Sequence, residues 1–191
     1  MIYIIRHGQT ELNNRKVLQG RSNYPLNESG VRQAEEAAKR LEEAGVSFDR
    51  VFTSPLIRAA ETARIVGRGV EAVTDERLIE MDYGPYEGMD LQALTPEVIT
   101  FFSDFQHNPA PDGMEQLDHV VERAGRFVED LRQYEGESIL ISTHAIAMKG
   151  ILEYLTPDSH GAYWSKYIGN CWIYTFENAG GTFSVPALMP V

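Results

Sequence analysis

The sequence predicts an α/β fold: a three-layer sandwich with a mostly parallel central sheet, helices on both faces and an inserted lid segment. Short apolar runs alternate along the chain with longer segments in which apolar residues recur at helical spacing. The run at residues 138–143 is apolar through its centre, as in strands buried on both faces of a parallel sheet. The 191 residues contain no repeat and no linker, which predicts one domain over residues 1–191.

The chain begins with an apolar strand at residues 1–5, followed by a loop over residues 8–26. Asn27 is the expected N-cap of the first helix, because its side chain can accept a hydrogen bond from a free backbone N–H. Gly45 suits the end of that helix, where glycine adopts the left-handed conformation without strain. This part of the chain therefore predicts one strand and one helix joined by a long loop.

A second strand is expected at residues 50–53. Ser54 and Pro55 resemble an N-cap and a first helical residue, which predicts that the second helix begins there. A short third strand is expected at residues 72–74. Residues 78–112 then break the alternation and are interpreted as the lid insertion.

The lid contains a group of aromatic residues at near-helical spacing: Phe101, Phe102 and Phe105. We expect them to pack the insertion onto the body of the protein, and the alternative is that some of them line a pocket for the leaving group. After the lid, the expected elements are, in order, a helix from about residue 115 to 134, a strand at 138–143, a helix through 155, and closing strands at 171–176 and 183–185 with a hairpin around 179–181.

Composition narrows the classes of partner. The formal net charge of −11 repels nucleic acid and anionic membrane surfaces, so we expect neither as a partner. The apolar run at the start lacks the basic beginning and the length of a secretory signal, which predicts a cytoplasmic location. Cys171 is the only cysteine, so neither an intrachain disulfide nor a Cys-rich zinc site is expected.

Three expected strand ends bring nitrogen-rich side chains to one edge of the sheet, where ligands of α/β proteins bind. These side chains are His7, His144 and Arg58, the last in the first turn of the following helix. Arg6 and Arg58 can each offer forked donors to phosphoryl oxygens. One neutral histidine can attack phosphorus and the other can stabilise the transition state, while Gly8 is expected to let an anion approach the backbone.

Hydrolysis of a phosphate monoester also needs a proton for the leaving oxygen. Glu80, at the start of the insertion, is the first candidate, because burial or a nearby phosphate can raise the pKa of a carboxyl group. Asp82 and Glu87 lie in the same segment and remain alternatives.

The chain resembles the histidine phosphatase superfamily, the phosphoglycerate mutase-like proteins. The resemblance is collinear over nearly the whole chain and rests on Arg6-His7-Gly8-Gln9-Thr10-Glu11 with Asn13, Gln19-Gly20, Pro25-Leu26-Asn27-Glu28-Ser29-Gly30, Gln33-Ala34, Ser54-Pro55-Leu56-Ile57-Arg58-Ala59, Glu61-Thr62-Ala63, Glu80 with Tyr83-Gly84 and Glu87-Gly88, and Ser142-Thr143-His144.

The resemblance implies a role for each matched residue and implies neither a metal nor another cofactor. His7 would be the phosphorylated nucleophile and Glu80 the proton donor. The remaining implied site residues are Arg6, Arg58 and His144 in the phosphate pocket, with Asn13, Gln19, Gly20 and Ala145 as substrate-binding contacts. Two features depart from the pattern: Ala145 stands where the family usually has glycine, and residues 113–116 carry one residue more than the family's Gly-Glu-Ser stretch.

The lid favours a phosphatase over a mutase. No lysine or arginine occurs between Arg77 and Arg123, although ten carboxylates do, and an acidic lid would repel a polyanion. We therefore expect a metal-independent phosphomonoesterase acting on a small phosphate ester with a neutral or apolar leaving group. A cofactor-dependent mutase using Arg15, Lys16 or Arg21, a non-catalytic phospho-ligand binder, and a homodimer are left open.

Overall fold

A six-stranded sheet forms the centre of the protein. The computed structural model describes residues 1–189, so the last two residues of the predicted 1–191 domain lie outside the described residues. The strands are β1 (Ile2–Arg6), β2 (Arg50–Thr53), β3 (Ala72–Thr74), β4 (Ile139–Thr143), β5 (Ile173–Phe176), β6 (Asn178–Ala179), β7 (Thr182–Phe183) and β8 (Ala187–Leu188). Six of these strands form the central sheet, and β6 and β7 form a separate hairpin. The central order is β3-β2-β4-β1-β5-β8: the first four strands are parallel, β5 is antiparallel to β1, and β8 is antiparallel to β5.

Helices cover both faces of this sheet, which confirms the predicted three layers. The α-helices are α1 (Glu11–Asn14), α2 (Glu28–Glu43), α3 (Ile57–Val66), α4 (Pro96–Ser103), α5 (Leu117–Asp130) and α6 (Ala145–Leu155), and α2, α3, α5 and α6 are the ones that cover the sheet. On one face, α5 and α6 bury Ile4 and Ile141, and on the other, α2 and α3 bury Ile5 and Leu140. Alternate residues of each strand thus enter opposite cores, as a pleated strand requires.

The register of the parallel strands places three strand ends level with one another. Arg6 pairs with Thr143 across β1 and β4, and Thr53 pairs with Ser142 across β2 and β4. All five residues of β4 are buried, in agreement with its apolar run. The residues that follow these strands therefore start from one edge of the sheet.

The start of the second helix was predicted incorrectly. Helix α3 begins at Ile57, not at Pro55, and Ser54 is not its N-cap. The hydroxyl of Ser54 lies 2.7 Å from Nε2 of His144. The N–H of Ile57 instead donates to the side chain of Asn23, in the loop before α2, at 2.8 Å. A side chain distant in sequence thus takes the capping position.

The other predicted bounds of helices and strands agree with the structure or differ from it by a few residues. Asn27 caps α2 as expected, by accepting the N–H of Gly30, and Gly45 follows the helix with φ +74°. The predicted loop at 8–26 contains the short helix α1. The hairpin around 179–181 is present as β6 and β7, whereas the expected closing strand at 183–185 is only Thr182–Phe183, and the edge strand β8 was not predicted.

The lid folds onto the body through its own apolar cluster. Phe101 is 1% exposed and packs with Met81 and Val98 of the insertion and with Ile146 of α6. The expected packing role of the phenylalanines therefore holds for Phe101. Within residues 1–189, no helix is both long and apolar enough to cross a bilayer.

Candidate active site

Two histidine rings lie side by side at the carboxyl edge of the sheet. His7 follows β1 and His144 follows β4, and the backbone N–H of His7 donates to the carbonyl of Thr143 at 2.9 Å. The ring centroids are 5.1 Å apart, and the residues are 3% and 0% exposed. The predicted convergence of the strand ends is thus what the structure shows.

The hydrogen bonds of His7 select one tautomer. Nδ1 lies 2.7 Å from the carbonyl oxygen of Gly8, which can only accept, so Nδ1 carries the proton. Nε2 therefore carries the in-plane lone pair, which accepts a hydrogen bond of 3.1 Å from Nε of Arg58. This tautomer leaves Nε2 as the nucleophilic atom of the ring.

Both histidines are held in the neutral form. Burial, followed by the positive charges of Arg58 and Arg6, lowers the pKa of His7 well below its ordinary value. Burial is again the largest cause for His144, whose pKa is also lowered well below the ordinary value by Arg58 and His7. A nucleophile requires the neutral imidazole, whose lone pair can attack phosphorus, and a neutral imidazole can still donate one N–H to phosphate.

Arg58 is fully buried and is bound on three sides. Besides His7, its guanidinium donates to the carbonyl oxygens of Ser22 at 2.8 Å and Gly20 at 2.6 Å. Burial lowers its pKa to about 10, which still leaves it charged at neutral pH. Glu87 holds the loop that contains Gly20 and Ser22, because its carboxylate accepts the N–H groups of both residues.

Several buried polar atoms of the site have no protein partner. Arg6 uses its guanidinium to donate to the carbonyl of Ile168 at 2.5 Å. Within residues 1–189, the unpartnered buried side-chain atoms of this region are Arg6 Nε, Gln19 Nε2, Ser22 Oγ and His144 Nδ1. Because three of these are nitrogen atoms and the fourth is a hydroxyl, all can donate, which suits an anion with several oxygens.

Three carboxylates near the site bind protein groups. Glu80, 4% exposed, accepts the N–H groups of Met81, Ile146 and Ala147 and so caps the N-terminus of α6. Asp82 pairs with Arg21 at 3.2 Å and is partly exposed. Glu87 supports the loop that holds Arg58, so Glu80 is the buried carboxylate at the N-terminus of α6, the helix that follows His144.

The remaining predicted contacts divide into two groups. Gln19 brings a free amide nitrogen to the site, and Ala145 begins α6 directly after His144. Asn13 instead completes a capping box with Thr10, and the backbone N–H and C=O of Gly20 are engaged by Glu87 and Arg58. Asn13 and Gly20 therefore hold neighbouring groups of the site in place.

A Cβ atom at Gly8 would lie 2.4 Å from the carbonyl oxygen of Gly30, so the approach of α2 already requires glycine at this position. The Gly8 N–H donates to Oγ1 of Thr62, so this backbone group is engaged within the protein. The expected approach of an anion to Gly8 stays a prediction.

Sequence reasoning missed Ser22 and Ser54. Ser22 lies in the loop before α2 and outside every motif, and its place in the site follows from its carbonyl bond to Arg58 and from its unpartnered buried hydroxyl. Ser54 was assigned to a helix cap, whereas its hydroxyl bonds His144. In residues 1–189, no group of three or more His, Cys, Asp or Glu side chains is arranged to hold a metal ion.

The family model of the histidine phosphatase superfamily (branch 1) matches residues 2–189. The chain belongs to this superfamily. Its curated relatives include a probable phosphoglycerate mutase of Proteus mirabilis, 32% identical over 79% of this chain and 72% of the relative. Another superfamily member, a putative phosphoserine phosphatase of Hydrogenobacter thermophilus, is 29% identical over 95% of this chain and 87% of the relative.

The superfamily fold is also seen in solved structures. A mutant phosphoserine phosphatase from Entamoeba histolytica, in complex with phosphoserine, matches with a TM-score of 0.84 and 26% identity. That comparison covers 99% of this chain and 94% of the other. The relatives of this superfamily member thus include both phosphatases and mutases.

Proposed function

We propose that the protein is a metal-independent phosphomonoesterase that forms a phosphohistidine on Nε2 of His7. The observation that carries the proposal is the pair of buried, neutral imidazoles between two guanidinium groups, with unpartnered donors on Arg6 and His144. Such donors stabilise the charge that develops on the phosphoryl oxygens.

In the first step, Nε2 of His7 forms a bond to phosphorus as the ester P–O bond breaks. The leaving oxygen takes a proton from the carboxyl group of Glu80 and departs as an alcohol. Backbone N–H groups at the start of α6 stabilise the carboxylate that remains. Arg6 and Arg58 neutralise the phosphoryl oxygens throughout.

In the second step, water attacks phosphorus from the side opposite to His7. Glu80 takes a proton from this water, the Nε2–P bond breaks, and inorganic phosphate leaves. His144 donates to the phosphoryl group through Nδ1 when the Ser54 hydroxyl donates to its Nε2, which fixes the ring proton on Nδ1.

The comparisons include relatives of both kinds, and the phosphatase relatives support hydrolysis. The phosphoserine phosphatases match 95–99% of this chain, whereas the probable mutase matches 79%. The 32% identity to that mutase makes phosphoryl exchange the second candidate. Detection of positional phosphate exchange in a phosphoglycerate would favour it.

The test is hydrolysis of phosphomonoesters in EDTA by wild type and His7→Ala. The panel runs from p-nitrophenyl phosphate through phosphoserine and sugar phosphates to 3-phosphoglycerate and bisphosphates. We expect metal-free turnover that His7→Ala abolishes, with a phosphorylated His7 trapped in rapidly quenched wild type. The matched control is His160→Asn, at an exposed histidine; turnover that survives His7→Ala would refute the proposal.

A further inference from the structure

A lysine is buried on the lid side of α6. Lys149 is 8% exposed, and its Nζ donates to the carbonyl oxygen of Trp164 at 2.7 Å and lies 5.5 Å from the ring centroid of Phe105. Within the described residues, Trp164 provides the one hydrogen bond to Nζ, and Glu80 is the carboxylate whose charge acts on Lys149 without bonding to it. Two of its three N–H donors are therefore available, which is unusual for a buried ammonium group.

Lys149 lines a cavity of about 500 Å³ between the lid and the loop before β5. Its apolar walls are the rings of Phe102, Phe105, Trp164 and Tyr167. We call this space the leaving-group cavity. Its volume and mixed lining are those of a small-molecule site.

Two residues that line the leaving-group cavity lie near the phosphate pocket: the charges of Glu80 and Arg6 act on Lys149, and Tyr167 acts on Arg6. Lys149 is five residues beyond His144 on α6, about 7.5 Å along the helix axis. On the other side, Arg6 donates to the carbonyl of Ile168, the neighbour of the wall residue Tyr167. A phosphate ester bound between the histidines can thus extend its alcohol part into this cavity.

Charge in the cavity is positive but small. Lys166 lines it as an exposed second cation, and Asp104 lines it as an anion that is already paired with His107 at 2.7 Å. Burial lowers the pKa of Lys149 to about 8, so it keeps its charge at neutral pH. These groups suit one negative charge, whereas a second phosphate dianion usually requires forked arginine donors.

We propose that the leaving-group cavity binds the alcohol part of the substrate and that Lys149 binds a carboxylate on it. This inference rests on the proposed phosphatase function and names its substrate class: monoesters of hydroxy acids with an apolar or aromatic body. It replaces the expectation of a neutral leaving group, which considered only the lid. The cations come from α6 and the loop after it.

The test compares two substrates that differ only in charge, 4-carboxybenzyl phosphate and 4-carbamoylbenzyl phosphate. A charge-assisted hydrogen bond predicts that wild type prefers the carboxylate by about 10- to 100-fold in kcat/KM. In Lys149→Met, this ratio should fall to near one, because methionine fills a similar volume without a charge. Lys39→Met, at an exposed lysine of α2, should keep the wild-type ratio.

A measurement on wild type alone guards against misfolding of the variant. The product 4-(hydroxymethyl)benzoate should inhibit competitively at a concentration about tenfold or more below that of 4-(hydroxymethyl)benzamide. Turnover that depends on His7 but shows equal rates for both substrates would overturn this inference alone. Absence of His7-dependent turnover on any ester would overturn the proposed function, and the inference with it.

Discussion

The two buried histidines should make the protein lose stability on mild acidification. In the unfolded chain, each titrates near pH 6.5, whereas in the folded protein burial and the neighbouring arginines lower the pKa of both. Below about pH 6.5, the unfolded state therefore binds more protons than the folded state, and stability falls as pH falls. The stabilising contribution is complete above that value.

The magnitude follows from proton linkage. A histidine that stays neutral in the folded protein contributes a loss of about 2 kcal/mol between about pH 7.5 and about pH 5, and two contribute about 4 kcal/mol. His7→Gln and His144→Gln should each remove about half of this loss. Carboxylates also titrate in this range, but they are common to all variants and cancel in the comparison.

The assay is urea unfolding of each variant at half-unit steps of pH, with free energies extrapolated to water. His160→Asn is the matched control, because His160 is exposed and asparagine tolerates its φ of +51°. We expect this control to keep the wild-type dependence on pH. Equal slopes in wild type and in the double variant of His7 and His144 would refute the argument that these rings are buried in the neutral form.

Three further predictions concern carboxylates between Arg77 and Arg123. Glu80→Gln should lower kcat about 10²- to 10⁴-fold on alkyl phosphates. The loss should be far smaller on p-nitrophenyl phosphate, because its leaving group needs no proton. Equal losses on both substrates would exclude Glu80 as the acid. Glu87→Gln should lower kcat about tenfold, and little further in an Arg58→Lys background, if it acts by holding Arg58. Glu115→Gln should lower the free energy of unfolding by about 3–5 kcal/mol, because it leaves the buried Arg123 without its carboxylate partner. In the same urea unfolding experiment, Glu122→Gln, at an exposed position, should change the free energy of unfolding by less than about 0.5 kcal/mol.

The sequence was sufficient for strands β1 to β5 and for the residues at the edge of the sheet, but not for the edge strand β8. The apolar runs of β1 and β4 and the cap at Asn27 depend on neighbours within a few positions, so local patterns reveal them. Ser54 and Lys149 could not be assigned in this way. Their partners, His144 and the carbonyl of Trp164, are set by tertiary contacts that no local pattern contains.

The acidic lid illustrates why a count of charges can mislead. Among the ten carboxylates between Arg77 and Arg123, Glu80 caps α6, Glu87 holds the loop beneath Arg58, and Glu115 binds Arg123 at 2.8 Å. These three are turned toward backbone N–H groups and an arginine of the body, so they anchor the lid rather than repel a substrate. The lid and the phosphate pocket are consequently one unit, because Glu87 positions a guanidinium and Glu80 borders the helix that begins at His144. A displacement of residues 80–87 would therefore disturb the pocket directly, which makes specificity and catalysis depend on the same contacts.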